Sequence, residues 1–461
     1  MTPMSATCTH SSLCLDTDEY ASRFGYIRPT EQKRSSAEQL QSGGSSKSKT
    51  KTKTNSAVSP STFPGPLLLP GDDLSTDPKY PAQSLRQWYR DKDRNPVTPE
   101  RNVVYVAAPP KIDHSVKFMG AWVSPAIPKN PKGVPTDNLT PPATPDIVEY
   151  LTAYYHGMKV KTLSQSFTFT SWDAGPTKKS TKATEKFPKY VGLAISTECI
   201  RIRTRPSHDG SFHRQINLND LLDGAIEALP DDAYALLLLV DHDIYEDEDD
   251  DFACGRAYGG SRVAVVSSAR YHPKLDSRAD VDVYHAWPAS HCKEYIEHTR
   301  DTDSEPPKKR TKTQKSNNPS TSTLLFPSED ESPTTDALKA HKTISPYRAD
   351  IKPYMGLWLG RVCKTAAHEL GHCFGMDHCV YYACAMQGTA SLAEDARQPP
   401  YLCPVDLAKM LNATGADAID RYKAIQTYCS KHAGHVQLFA AFHAWIAGKL
   451  KELASEATPA T

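Results

Sequence analysis

Hydrophobic and polar positions alternate along the middle of the chain in a way that predicts a sheet with packed helices. Short runs rich in apolar and β-branched residues predict four strands, over residues 102–108, 160–163, 234–240 and 261–271. Apolar residues at helical spacing predict two helices between them, over 144–157 and 217–229. Because strands and helices alternate, we expect a mixed sheet with helices packed on it.

Both helices carry end signals. Thr144 is the expected N-cap of the first, with Pro145 in its first turn and Gly157 at its end. Asn217 is the expected cap of the second helix. One face of that helix collects its apolar residues, namely Leu218, Leu221, Leu222, Ala225, Ile226 and Leu229. After residue 350 the pattern becomes helical, with long amphipathic stretches from about 404 to 451. The fold class we predict is therefore α+β.

Two polar segments interrupt this pattern. Residues 33 to about 75 and residues 299 to 344 are rich in Ser, Lys, Thr and Pro and contain few residues to bury. We expect both segments to be disordered. The second contains PPKKRTK (306–312), for which a nuclear-import patch and an ordinary solvated basic stretch are the two interpretations.

Composition narrows the class of protein. The formal net charge of the 461 residues is zero, so nothing predicts binding to nucleic acid. No apolar run reaches membrane-spanning length, and the first residues do not resemble a signal peptide. The eleven cysteines are therefore expected as metal ligands or free thiols rather than disulfides. We expect an intracellular, cytoplasmic monomer, with nuclear entry as an open alternative.

The segment HELGHCFGMDHC (368–379) contains three histidines, one glutamate and two cysteines within twelve positions. His368 and His372 are four residues apart, so on a helix both imidazoles reach one ion. Gly375 can adopt the left-handed conformation that ends the helix and returns His378 as a third ligand. Three neutral histidines leave a fourth position on zinc for water. Glu369, beside the first histidine, is placed to hydrogen-bond that water.

This constellation predicts hydrolysis of peptide bonds. Zinc lowers the pKa of its water and polarises a carbonyl oxygen, and Glu369 would act as general base and pass the proton to the leaving amine. The alternative is a catalytically inactive zinc-binding scaffold or interaction protein, with the polar segments as recruiting arms. The presence of Glu369 favours catalysis.

The same residues resemble a known family. HELGHCFGMDH matches the metzincin signature, and Cys379 followed by CAM (384–386) resembles the archaemetzincins, whose pattern continues to a CxxC motif. The resemblance covers residues 368–406. It implies a zinc metallopeptidase with a twisted mixed sheet, helices above a zinc helix and a mostly helical C-terminal subdomain. It also implies short peptides, cleaved from their amino ends, as favoured substrates.

The resemblance assigns two further roles near the cleft. Met386 would be the Met-turn residue, an apolar floor under the catalytic zinc. The segment SRVAVVS (261–267) would be the edge strand above the cleft, to which an extended substrate adds through main-chain hydrogen bonds.

The family also binds a second, structural zinc through four cysteines. Cys379, Cys384 and Cys403 match three of these ligands, but the fourth position is Asp406. A Cys3Asp site is one possibility, since carboxylates also ligate zinc. The others are that Cys363 or Cys373 substitutes, or that the site is lost.

With this resemblance the chain divides into four parts. We expect a largely disordered N-terminal region (1–100), a first part of the catalytic domain (101–298), a disordered insertion (299–344) and a zinc-binding second part (345–453). Eight acidic residues lie within 241–251. They predict a solvated loop, or carboxylates that hold the free amino group of a substrate.

Overall fold

The computed structural model describes residue 8 and residues 12–16, 19–40, 59–127, 139–172, 188–302, 332–345 and 350–457. The basic stretch 306–312 lies outside these ranges. None of the helices within them combines the length and apolar character that crossing a membrane requires.

The strands of the described residues form two mixed sheets. In chain order they are β1 (Val103–Ala107), β2 (Lys111–Ile112), β3 (Lys159–Thr162), β4 (Phe167–Thr170), β5 (Tyr190–Ile195), β6 (Glu198–Arg205), β7 (Gln215–Asn217), β8 (Ala233–Val240), β9 (Ile244–Tyr245), β10 (Gly255–Tyr258) and β11 (Val263–Ser267). The first sheet has the order β10-β11-β8-β1-β3 and the second β2-β4-β5-β6-β7-β9. The predicted mixed sheet is confirmed, and the chain builds a second one beside it.

The helices flank these sheets and form the end of the chain. They are α1 (Glu19–Arg23), α2 (Glu31–Ala37), α3 (Asp73–Thr76), α4 (Leu85–Arg90), α5 (Thr144–Tyr154), α6 (Leu218–Glu227), α7 (Lys293–Thr302), α8 (Pro333–Thr343), α9 (Lys352–Cys373), α10 (Leu392–Arg397), α11 (Pro404–Thr414), α12 (Ala418–His432) and α13 (Gln437–Ala457). The predicted helical C-terminal part is confirmed.

The first sheet is buried on both faces. Its strands β1, β8 and β11 run parallel, and β10 pairs antiparallel with β11. Leu237 and Leu239 pack with the zinc helix α9 on one face, whereas Leu236 and Leu238 pack towards the second sheet and α6 on the other. Since successive strand residues point to opposite faces, a near-continuous apolar run is what a doubly covered strand requires. The sheet therefore gives the zinc helix a rigid base.

The helix caps agree with the sequence in one case and differ in the other. Asn217 accepts a hydrogen bond from the Asp220 amide and caps α6, as predicted. In α5 the cap position is Ala143, with no side-chain hydrogen bond, and Thr144 is the first helical residue. The prediction of a Thr144 cap is therefore wrong. Pro145 in the first turn is sufficient to start that helix, because its fixed φ suits the position.

The strand predicted at the edge of the sheet is internal. β11 lies between β10 and β8, so the segment 261–267 is not the edge strand. The edge is β10, whose four residues carry a glycine and an arginine and few strand-forming side chains. Such a short, polar edge strand gives little sequence signal, although it is a common way to limit unwanted strand pairing.

The expectation of disorder is wrong for the described parts of the N-terminal region. Residues 59–100 pack on the C-terminal helices, with the Phe63 ring 5.4 Å from the rings of both Tyr401 and Trp445. The Trp88 side chain is 1% exposed and its Nε1 donates to the Phe374 carbonyl at 2.8 Å. Average composition is misleading here, because a few widely spaced apolar residues dock on a core supplied by distant parts of the chain.

The polar insertion also contains ordered residues. α7 extends to Thr302, and α8 (Pro333–Thr343) packs against α13. Ser332 caps α8 through a capping box with Thr335, which explains why a Pro- and Thr-rich segment forms a helix. Residues 41–58 and 303–331 lie outside the described ranges. The four-part division of the chain stays a prediction.

Candidate metal centre

The zinc helix α9 is buried around most of its circumference and held by charged pairs. Arg361 donates to both oxygens of Asp276, at 2.6 and 3.0 Å. One turn later Lys364 pairs with Asp395 at 3.2 Å. Both pairs are largely buried, so each charge depends on its partner. These contacts fix the axis of the helix that carries His368, Glu369 and His372.

The three predicted histidines converge at the end of α9. Gly375 has a φ of 77° and turns the chain, so that His378 returns to the other two. One ring nitrogen from each imidazole lies within 4.8 Å of the others, and the Nε2 atoms of His368 and His372 are 3.1 Å apart. Two nitrogen ligands of one tetrahedral zinc would be about 3.3 Å apart. The geometry is that of a three-histidine metal centre.

The hydrogen bonds of the rings show which nitrogens are free for a cation. His368 Nδ1 lies 2.7 Å from the Ala385 carbonyl, and His372 Nδ1 lies 2.7 Å from the Met376 carbonyl. A carbonyl only accepts, so both Nδ1 atoms carry the proton and both Nε2 lone pairs face each other. That contact is repulsive unless a cation lies between the nitrogens. The residues therefore fit a metal ion.

Burial disfavours protonation of these rings. It lowers the pKa of His372 to about 4, and the pKa values of His368 and His378 also lie below their ordinary value for the same reason. At neutral pH all three imidazoles are neutral, which is the form that ligates a metal.

Glu369 lies beside the histidines in a cleft of 940 Å³. Burial raises the pKa of its carboxyl to about 8, and the nearby Arg256 opposes this shift. The edge strand β10 leaves room for the glutamate through Gly255, where a Cβ would lie 3.0 Å from Glu369 Cγ. A cation held by the neighbouring histidines would oppose this rise in pKa and favour the carboxylate form, which accepts a proton.

Met386 packs below the centre. Its side chain is fully buried, and its sulfur occupies the space that a Cβ on Gly371 would need, at 2.4 Å. Since Gly371 precedes His372 in the helix, the methionine lies directly against the metal-facing turn of α9. This agrees with an apolar floor, although the Met-turn role itself stays a prediction.

A second cluster lies next to the first. Cys379, Cys384, Cys403 and Asp406 are all buried, and one potential ligand atom from each lies within 4.8 Å of the others. The sulfurs of Cys379 and Cys403 are 3.6 Å apart. Asp406 Oδ2 lies 3.2 Å from the Cys384 sulfur and 3.4 Å from that of Cys403. Tetrahedral zinc would separate two sulfurs by about 3.8 Å and a sulfur from an oxygen by about 3.6 Å.

The chemistry of this cluster also fits a cation. Burial raises the pKa of Asp406 to about 6, and burial with crowding by Cys379 raises the pKa values of the Cys384 and Cys403 thiols. Lys409 offsets the charge of Asp406, but three thiolates in the same buried volume require a further positive charge between them. The donor set is therefore suited to zinc.

Among the candidates for the fourth position, only Asp406 lies with the three cysteines in the described residues. Asp406 completes the cluster geometrically. Cys363 instead lies near the Tyr428 hydroxyl, at 4.0 Å, and Cys373 is buried at the end of α9 outside the group of four. No disulfide joins any of the cysteines, all of which lie in the described part of the chain.

The acidic segment 241–251 is only partly solvated. Arg205 holds its backbone by donating to the carbonyls of Asp247 and Glu248 at 2.9 and 3.2 Å and to that of Asp250. The side chains of Asp247 and Glu248 remain exposed, whereas Asp251 lines the cleft. The solvated-loop interpretation therefore suits Asp247 and Glu248, whereas the holding of a substrate amino group stays a prediction, with Asp251 as its candidate.

Several residues at the centre were missed by the sequence reasoning. The ring of Tyr80 lies 5.5 Å from that of His378, and Gln83 bonds the turn that follows α9. These residues come from the N-terminal region that was expected to be disordered. Lys409 bonds Asp406 and was also overlooked, although its spacing of three residues from Asp406 on a helix was a usable signal.

Comparison with known proteins finds archaemetzincins. A model of peptidase family M54 matches residues 343–411, which include both clusters. The chain is 24% identical over 363 residues to archaemetzincin-2 of Homo sapiens, covering 78% of this chain and 73% of that protein. It is 49% identical over 65 residues to archaemetzincin-2 of Macaca fascicularis, covering 14% and 18%. Among solved structures, an archaemetzincin from Methanopyrus kandleri aligns with a TM-score of 0.30 and 17% identity, covering 68% of this chain and 97% of that one.

The site and the family match define the class of protein as a zinc-dependent metallopeptidase, which acts on peptides or proteins. Within that class, the chain is similar to members of the archaemetzincin family, through the match of family M54 to residues 343–411 and the 24% identity to archaemetzincin-2. The recognition of this family from the motif is thereby confirmed.

Proposed function

We propose that the histidine centre holds the catalytic zinc and that Glu369 is the general base. The observation that carries this proposal is the convergence of three neutral imidazoles beside a buried carboxyl in an open cleft. When bound there, zinc supplies a Lewis acid for the substrate carbonyl and an acidified water. The chain's own contribution is to fix His368 and His372 through their Nδ1 hydrogen bonds, so that the metal-facing nitrogens stay oriented.

Glu369 has a position that suits proton transfer in both directions. It is held beside the edge strand β10, which we propose pairs with the substrate backbone in place of the segment 261–267. A peptide in that position would bring its scissile bond past the carboxyl. Glu369 then accepts a proton from the attacking water and donates it to the leaving nitrogen.

Peptide hydrolysis by wild type and by Glu369→Gln tests this proposal. We expect the substitution to lower kcat by about 10²–10⁴-fold, the usual range for a lost general base, with the zinc content unchanged. Glu149→Gln is the matched control, because Glu149 pairs with Lys431 on the surface and does not line the cleft. Equal and negligible turnover of wild type and Glu369→Gln, with zinc bound in both, would favour the inactive scaffold instead.

We also propose that Cys379, Cys384, Cys403 and Asp406 hold a second, structural zinc. The close approach of the four donors and their burial support this. Wild type should contain two zinc ions per chain and Cys384→Ser one. The same stoichiometry of one in both proteins would contradict the second site.

A finer proposal is that the cleft recognises the free amino end of a peptide substrate. Five aspartates line the cleft, of which Asp395 already pairs with Lys364. The candidates to hold a free α-amino group are the other four, Asp91, Asp93, Asp251 and Asp377. Acetylating the amino end of a short peptide should then lower kcat/KM by about tenfold or more, as expected for losing a charged hydrogen bond. Equal rates for the free and acetylated peptides would remove aminopeptidase behaviour and leave the peptidase proposal intact.

A further inference from the structure

The Gln83 side chain holds both sides of the turn that follows the zinc helix. Its Nε2 donates to the Gly375 carbonyl at 3.0 Å, and its Oε1 accepts from the Asp377 amide at 3.2 Å. Between these residues lies Met376, whose carbonyl accepts the hydrogen bond from His372 Nδ1. Gln83 therefore clamps the backbone that orients one histidine and leads directly into His378.

The same amide oxygen reaches the cysteine cluster through a lysine. Lys409 Nζ donates to Gln83 Oε1 at 2.8 Å and to Asp406 Oδ1 at 2.8 Å. The other oxygen of Asp406 faces the sulfurs of Cys384 and Cys403. A carboxylate can bond on both sides in this way because it has two oxygens, one facing the lysine and one facing the sulfurs.

The network fixes the orientation of the amide. Lys409 and the Asp377 amide are both donors, so the oxygen of Gln83 must face them and its NH2 must face the Gly375 carbonyl. Lys409 is 2% exposed and Asp406 1%, so neither charge can turn to solvent when the link is broken. The connection is therefore made of groups that hold one another in a single arrangement.

We propose that Gln83 and Lys409 are positioning residues that link the cysteine cluster to the turn bearing His378 and the carbonyl partner of His372. The proposal rests on the proposed function of the histidine centre as a metal site. It assigns a role in that site to residue 83, which lies far outside the segment that carries the family signature. Loss of the link weakens metal binding at the histidine centre by about tenfold. This is the low end of the loss in affinity that follows when a residue hydrogen-bonded to a metal ligand is removed.

Cobalt titration of the metal-free full chain tests the link. Cobalt bound to the cysteine cluster gives a thiolate charge-transfer band, whereas cobalt bound by histidines alone gives only weak ligand-field bands, so the two dissociation constants are measured separately. Gln83→Ala should raise the Kd of the histidine centre about tenfold. Gln83→Glu keeps an acceptor for Lys409 but lacks the donor to Gly375, and should raise this Kd as well.

Gln87→Ala is the matched control. Gln87 lies four residues further on, within α4, where its side-chain oxygen accepts from the Ser84 amide in a capping box. Its loss weakens the start of α4 without removing a hydrogen bond to the turn. It should lower the thermal stability and leave the Kd of the histidine centre unchanged. Equal Kd values for Gln83→Ala and Gln87→Ala would overturn the proposal.

The double variant distinguishes a link from two separate effects. If Gln83 and Lys409 act through each other, Gln83→Ala with Lys409→Met should raise the Kd no further than the more damaging single substitution. Fully multiplicative effects would overturn the link. A wild-type chain that binds no cobalt at the histidine centre would instead refute the proposed function, so the two failures are distinguishable.

Discussion

The ion pair between Arg361 and Asp276 predicts a large loss of stability when it is broken. Both side chains are close to one-tenth exposed, and Arg361 makes two short hydrogen bonds to the carboxylate. Asp276→Asn keeps the shape of the acceptor but leaves the guanidinium charge buried without a counter-ion. Breaking a buried pair from one side costs about 3–5 kcal/mol. Because asparagine still accepts one hydrogen bond, we expect about 3 kcal/mol.

Urea unfolding of the zinc-loaded chain measures this loss. Glu149→Gln is the control, because Glu149 and its partner Lys431 are both about half exposed and such a pair contributes less than about 1 kcal/mol. The combined change Asp276→Leu with Arg361→Met removes both charges and should cost less than Asp276→Asn alone. The reasoning is refuted if Asp276→Asn unfolds like Glu149→Gln, or if the combined variant is the least stable of the set.

Three further predictions follow from buried contacts. Gly371→Ala forces a Cβ against the Met386 sulfur and should cost about 1–3 kcal/mol in urea unfolding, unlike Gly434→Ala, where nothing lies within 4 Å. Burial lowers the pKa of His242 to about 4 from an ordinary value of 6.5, so below pH 6.5 the unfolded chain takes up a proton that the folded chain does not. The unfolding free energy should therefore fall by about 1.4 kcal/mol per pH unit from this residue down to about pH 4, and an unchanged slope in His242→Gln would contradict this. A chelator should remove zinc from the histidine centre before the cysteine cluster, whose four donors are at most 4% exposed, so zinc loss in a single phase would argue against two distinct sites.

The elements with continuous apolar or helical patterns were predictable from the sequence. The buried strand β8 and the helix α6 with its Asn217 cap were located closely, because doubly covered strands and amphipathic helices leave strong local patterns. The histidine centre was equally predictable, since its spacing is fixed by the helical repeat and one glycine turn.

What the sequence did not reveal depends on contacts between distant residues. The edge position of β10 is decided by pairing with β11 and not by its own composition. Gln83 lies in a polar stretch, and only the docking of nearby Trp88 on the end of α9 brings it to the turn at Gly375. The capacity of Asp406 to complete the cluster likewise required knowing that Cys363 and Cys373 lie elsewhere.

Because distant parts of the chain bury the zinc helix, the segment that carries the family signature depends on them to fold. α9 is covered by β10, β11, α5 and α13, and the turn after it is held by side chains from residues 83 and 88. A fragment limited to residues 343–411 would expose the apolar surface of α9 to water and lose these partners. The segment 343–411 is thus not an independently folding unit. Grafting it onto another scaffold, or deleting the residues amino-terminal to it, should give an aggregating product and not a minimal enzyme.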